Sequence, residues 1–147
     1  MQSIFILTLS LYFFIPEKQS LNVNWQNDVA YLSGDTVELQ FTAKIEEGWY
    51  VYSQYLNDDN GPIPTKLNLE SETTFELIGL ANEGLTTRIE EIDPFFGMQV
   101  VKYSDSLVIN QKVLIKTPAR MRATIKFMSC SKLTCTPPKV VEFDLDI

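Results

Sequence analysis

The sequence predicts an all-β chain folded as an immunoglobulin-like antiparallel β-sandwich, and three observations carry that expectation. From Leu21 onward apolar and polar residues alternate with period two, the spacing at which a strand presents one buried face. Turn signals recur about every ten residues, which suits many short strands. No stretch sustains a capped 3.6-residue period. A chain of 147 residues with 45% hydrophobic and 21% charged content supplies one domain with a real core and is short for two.

The elements follow in order. Ile4 to Ile15 is an apolar run that ends at Pro16, Glu17 and Lys18. It is too short to span a bilayer, which needs about twenty residues, and it suits the apolar region of a secretory signal. Residues 1–20 are therefore read as a signal peptide and 21–147 as the folded domain, periplasmic or otherwise exported. Val37, Leu39, Phe41, Ala43 and Ile45 alternate with Glu38, Gln40, Thr42 and Lys44, a strand bounded by Gly34-Asp35 and Glu47-Gly48. Further strands are expected over Trp49 to Tyr55, Lys66 to Leu69, Phe75 to Leu80, Thr87 to Ile92, Met98 to Tyr103, Leu107 to Ile115, Arg122 to Met128 and Val140 to Leu145. That makes eight or nine. Asn57 to Pro64 is a loop by composition, and Thr117-Pro118-Ala119 is a turn.

Charge and residue usage exclude several function classes. A net charge of -7 with no basic block argues against a nucleic-acid partner, because phosphate binding needs clustered Lys and Arg. Two cysteines and no histidine cannot close a usual zinc site, and no serine has a histidine for a triad. No Gly-rich phosphate loop is present, so no metal or small-molecule cofactor is expected. What remains is Cys130 and Cys135, the only two thiols, inside Cys130-Ser131-Lys132-Leu133-Thr134-Cys135-Thr136-Pro137-Pro138. Strand parity sets Ala123, Ile125 and Phe127 inward. An unbroken pleat then turns Cys130 outward with Lys126 and Met128, which places the pair outside the sandwich core. A disulfide closing so small a loop contributes only about 2 kcal/mol by loop entropy, so the pair reads first as redox-active. The alternative is a structural clip on a hairpin.

Three segments together resemble the family of amino-terminal domains of the thiol:disulfide interchange protein DsbD. The Cys130-to-Pro138 segment resembles its cysteine hairpin. Gly48-Trp49-Tyr50-Val51-Tyr52 resembles the strand beside the disulfide, and Asp93-Pro94-Phe95-Phe96-Gly97 resembles its cap loop. Order and spacing agree from about Trp25 to Phe143, although the two cysteines stand about one residue closer than in the best-known members. The sequence ends at Ile147, whereas the family's full-length protein continues into a membrane domain and a thioredoxin-like domain.

The resemblance implies an exported sandwich that relays reducing equivalents through Cys130 and Cys135. Thioredoxin-like proteins, and a membrane thiol reductase acting in trans, would be its partners. It favours Cys135 as the sulfur joined to the partner and Cys130 as the resolving one. Phe95 becomes the lid over the sulfurs, with Asp93, Phe96 and Gly97 completing the cap loop and Tyr50 and Tyr52 lining the site. Lys132, the one cation inside the ring, is the candidate for stabilising a thiolate; a solvated turn lysine is its ordinary role. The rival reading is a non-catalytic binding module, with Asn57 to Pro64 or exposed aromatics as its contact surface.

Overall fold

A computed structural model describes residues 22–56, 60–70, 73–84 and 87–147. The segment read as a signal peptide lies outside the described residues, as do positions 57–59 of the expected loop. Among the described residues eleven strands form: β1 (Val23–Tyr31), β2 (Thr36–Ile45), β3 (Tyr50–Tyr52), β4 (Lys66–Glu70), β5 (Phe75–Glu83), β6 (Arg88–Ile92), β7 (Gln99–Tyr103), β8 (Ser106–Ile115), β9 (Arg120–Phe127), β10 (Ser129–Cys130) and β11 (Lys139–Asp146). They pair antiparallel in three sheets, ordered β1-β2-β8-β5, β10-β3-β7-β6 and β11-β9-β4.

The main core lies between the first sheet and the third. Leu39, Phe41 and Ala43 of β2 and Leu107, Ile109 and Val113 of β8 face Met121, Ala123, Ile125 and Phe127 of β9, all of them buried. The alternation that marks β2 in sequence is the alternation of its burial, because only one face of that sheet is covered. Phe41 meets Phe143 with ring centroids 5.4 Å apart, and Trp25 meets Phe127 at 5.8 Å. This is the expected immunoglobulin-like sandwich. Two strands go beyond the expected set: β1, with only Val23 and Trp25 buried, and the two-residue β10.

β10 corrects the expected parity of the cysteines. β9 stays in register with β11 up to Phe127↔Lys139, after which the chain crosses to the second sheet and pairs Ser129↔Val51 and Cys130↔Tyr50. Phe127, Met128, Ser129 and Cys130 are consequently all buried, and Cys130 is fully so. A segment that changes sheets is covered on both faces, so period-two counting fails there. The other half of the expectation holds, since Cys130 lies apart from the main core in a second cluster with Tyr50, Tyr52, Val100 and Met128.

Candidate functional site

The site is built at one end of the second sheet from β3, β10 and the β6–β7 connection. Cys130 and Cys135 are joined by a disulfide. They oppose each other across a short antiparallel hairpin: Ser131 N donates to Thr134 O at 2.7 Å on one side and Thr136 N to Ser129 O at 2.8 Å on the other. The Ser131 hydroxyl accepts from Leu133 N and Thr134 N, both at 3.2 Å, and so closes the tip. Ser129 N donates to Thr136 Oγ1 at 3.3 Å at the base. The hairpin projects Leu133, which is 90% exposed, together with exposed Lys132. The two cysteines are not equivalent: Cys130 is buried whereas Cys135 is partly exposed.

β3 brings Tyr50 and Tyr52 to this face because alternate residues of a strand share a side. Their rings meet edge to face with centroids 5.6 Å apart. The Tyr52 hydroxyl lies 3.6 Å from Cys130 Sγ and donates to Asp93 Oδ2 at 2.7 Å. Burial, and then the bond to Asp93, hold the Tyr52 phenol well above its ordinary pKa, so it remains a donor. Burial also raises Tyr50, against the opposing influence of the Tyr52 hydroxyl and Lys102.

Asp93 organises the cap loop. Its other oxygen, Oδ1, accepts from Phe95 N at 2.8 Å and Phe96 N at 3.2 Å. Its own backbone closes the hairpin: Asp93 N donates to Met98 O and Gly97 N to Asp93 O, each at 2.8 Å. Gly97 sits at φ +66°, a left-handed conformation that a glycine adopts without strain. Phe96 stands edge-on to Tyr52 with centroids 6.3 Å apart, while Phe95 is 45% exposed. The structure thus brings Tyr50, Tyr52, Asp93, Phe96 and both cysteines together and ties the loop to the site through Phe96.

Sequence reasoning missed Lys102 and Glu91. Lys102 on β7 is buried, ion-paired to Glu91 of β6, with its ammonium 3.7 Å from the centroid of the Tyr50 ring. The only signal was a lone lysine in the apolar run Val100-Val101-Lys102-Tyr103. Trp49, Tyr50, Ile89, Pro94, Lys102 and Lys132 line a cavity of about 560 Å³ that opens beside the cysteine hairpin. Lys132 therefore borders this cavity as well as the disulfide ring.

Comparison with known proteins agrees with this geometry. The family model described as "Thiol:disulfide interchange protein DsbD, N-terminal" matches residues 17–147. No curated protein matches the chain. Among solved structures, the reduced DsbD N-terminal domain of Neisseria meningitidis is similar at 18% identity and a TM-score of 0.56, over 83% of this chain and 84% of that one. The N-terminal periplasmic domain of ScsB from Proteus mirabilis is similar at 12% identity and a TM-score of 0.62, over 91% of this chain and 49% of its own. A third is the complex between the DsbD N-terminal and PilB N-terminal domains from Neisseria meningitidis, at 17% identity and a TM-score of 0.52, over 89% of this chain and 86% of that one. At such identities the structures speak for the fold, whereas the family model covers nearly the whole sequence.

Proposed function

The chain belongs to the family of N-terminal domains of the thiol:disulfide interchange protein DsbD, and from that premise we propose that it carries electrons between proteins through Cys130 and Cys135 in the periplasm. The observation that carries the reading is the unequal exposure of the two bonded cysteines, beside an aromatic loop that packs on Tyr52. A thiolate needs a line of approach to the sulfur it attacks. Cys135 offers one, and buried Cys130 does not.

In the charging step a thiolate of a reducing partner attacks Cys135 Sγ. The Cys130–Cys135 bond breaks, Cys130 leaves as the thiolate, and a mixed disulfide joins the partner to Cys135. The partner's second thiolate then attacks its own bound sulfur. Cys135 is released, the partner leaves as a disulfide, and this chain holds a dithiol with two more electrons. Against an oxidised thioredoxin-like protein the same steps run in reverse, with Cys135 as nucleophile and Cys130 resolving. The source of electrons in this scheme is a membrane thiol reductase acting in trans. Asp93, Phe95, Phe96 and Gly97 form the cap that excludes small thiols and moves when a partner docks.

The test is the reduction potential of the pair, by equilibration in thiol buffers, alkylation and mass counting. A value above about -300 mV, typical of labile disulfides, is expected. A much lower value would make the pair a hairpin clip, and a non-catalytic binding module would replace the relay.

A further inference from the structure

The cavity beside the cysteine hairpin takes no part in the exchange steps above. At about 560 Å³ it lies within the range of pockets that hold a ligand or an inserted side chain. Trp49 just before β3, Ile89 and Glu91 of β6, Pro94 of the cap loop, Lys102 of β7 and Lys132 of the hairpin all line it. An occupant therefore touches both the cap loop and the disulfide ring, because Lys132 stands between Cys130 and Cys135 within that ring.

The charges of the lining decide what fits. Glu91 and Lys102 cancel, since they are ion-paired and the buried ammonium rests against the Tyr50 ring. Asp93, the acid of the cap loop, is buried and spends both oxygens on Tyr52 and two backbone amides. That leaves Lys132, exposed and, among the described residues, without a carboxylate partner. The lining thus carries one uncancelled positive charge in a chain whose net charge is -7. Around it stand the apolar surfaces of Trp49, Ile89 and Pro94. Such a lining complements an apolar side chain with a carboxylate beside it.

We propose that the cavity is the docking pocket for an acidic segment of the redox partner, and that Lys132 selects it. The inference rests on the relay reading and specifies the partner's chemistry. A partner that brings a thiolate to Cys135 lies against the ring and the cap loop, and the cavity is bordered by both. Charge complementarity of this kind acts on encounter and on the choice of partner more than on final affinity. The acidic surplus of the chain repels such a partner in general, so one positive site at the ring orients its approach.

The experiment uses the full oxidised chain and three synthetic dithiol peptides. They differ only in carrying leucine-glutamate, leucine-glutamine or leucine-lysine beside the first cysteine. Reduction of the Cys130–Cys135 bond is followed by quenched alkylation. Each rate is divided by that of the same peptide with uncharged hydroxyethyl disulfide, which removes differences in thiol ionisation. The glutamate peptide should react fastest and the lysine peptide slowest. Each should differ from the glutamine peptide by about two- to fivefold at low salt, the range of an exposed ion pair. High salt should narrow the spread. Lys132→Gln should abolish the order and Lys132→Glu should invert it, with the oxidised protein unfolding as before. Ile89→Trp fills the cavity without touching a charge and should remove the preference although Lys132 remains. A glutamate peptide with serines in place of cysteines should shift the resonances of Trp49, Ile89 and Lys132, a readout independent of exchange. Equal normalised rates for the three peptides, or a preference that survives in Ile89→Trp, overturn the inference and leave the relay intact. Equal inhibition by free N-acetylglutamate would make the cavity a small-molecule site, and a dimer that covers Trp49 would give it to a second copy; either result overturns the assignment. A pair that no dithiol reduces removes the relay and the inference together.

Discussion

At Cys130 and Cys135 burial bears on chemistry, because Cys130 is fully buried and Cys135 is partly exposed. Cys130→Ser leaves a thiol at Cys135 and should trap partners as mixed disulfides. Cys135→Ser leaves only the buried thiol and should give less than about a tenth of that yield, read by non-reducing gel and mass spectrometry. Asp93 is the second decisive residue, since one carboxylate serves Tyr52 and two backbone amides of the cap loop. Asp93→Asn keeps an acceptor for the amides and exchanges the charged acceptor for the phenol. Loss of a hydrogen bond to a charged group costs about 1.5–3 kcal/mol, and urea unfolding should show a loss in that range. If the loop caps the pair as proposed, alkylation of the reduced protein should quicken at the same time, because the loop loses its tether to Tyr52.

At the scale of elements the cap is a hairpin connection whose shape depends on Gly97. An added Cβ there would meet nothing within 4 Å, so Gly97→Ala tests conformation alone. A left-handed non-glycine residue costs roughly 1–2 kcal/mol. Faster amide exchange confined to Asp93–Met98, with the rest of the fold protected as before, is the expected result. These elements also show how far the sequence could be read. β2 and β8 were legible because each buries one face of a two-layer sandwich. The cap loop was legible only through three motifs read together, whereas β3 was also marked by the aromatic, β-prone run from Trp49 to Tyr55. β10 was not legible, because a strand that leaves one sheet for another has no constant face, and the burial of Cys130 went unforeseen with it. Lys102 escaped for a related reason: its partner Glu91 and the ring of Tyr50 reach it from other strands.

Across the whole molecule, a polar network holds the redox end to the main sandwich. Glu83 at the end of β5 accepts from Tyr103 of β7 and from the Ser53 hydroxyl, both at 2.8 Å, and from Gln54 N at 2.6 Å. One carboxylate thereby joins the first sheet to the second. Burial, and then Glu83, push the Tyr103 phenol up to about 12, from an ordinary value near 10. The raised value means that the folded chain keeps a proton which the unfolded chain releases. The resulting stability is complete below pH 10 and is lost as pH climbs toward 12, with roughly 3 kcal/mol at stake. Tyr50, Tyr52 and Tyr55 are raised as well and act in the same direction. Urea midpoints taken from pH 9 to pH 12 should therefore fall steeply above 10. Tyr103→Phe should be less stable than wild type at pH 8, since Glu83 loses a donor, and should show a shallower alkaline fall. Parallel curves for the two proteins would mean that the Glu83–Tyr103 bond does not couple the sheets. The second sheet would then be held to the sandwich by β9 and β10, by the Ser53 and Gln54 bonds to Glu83 and by packing.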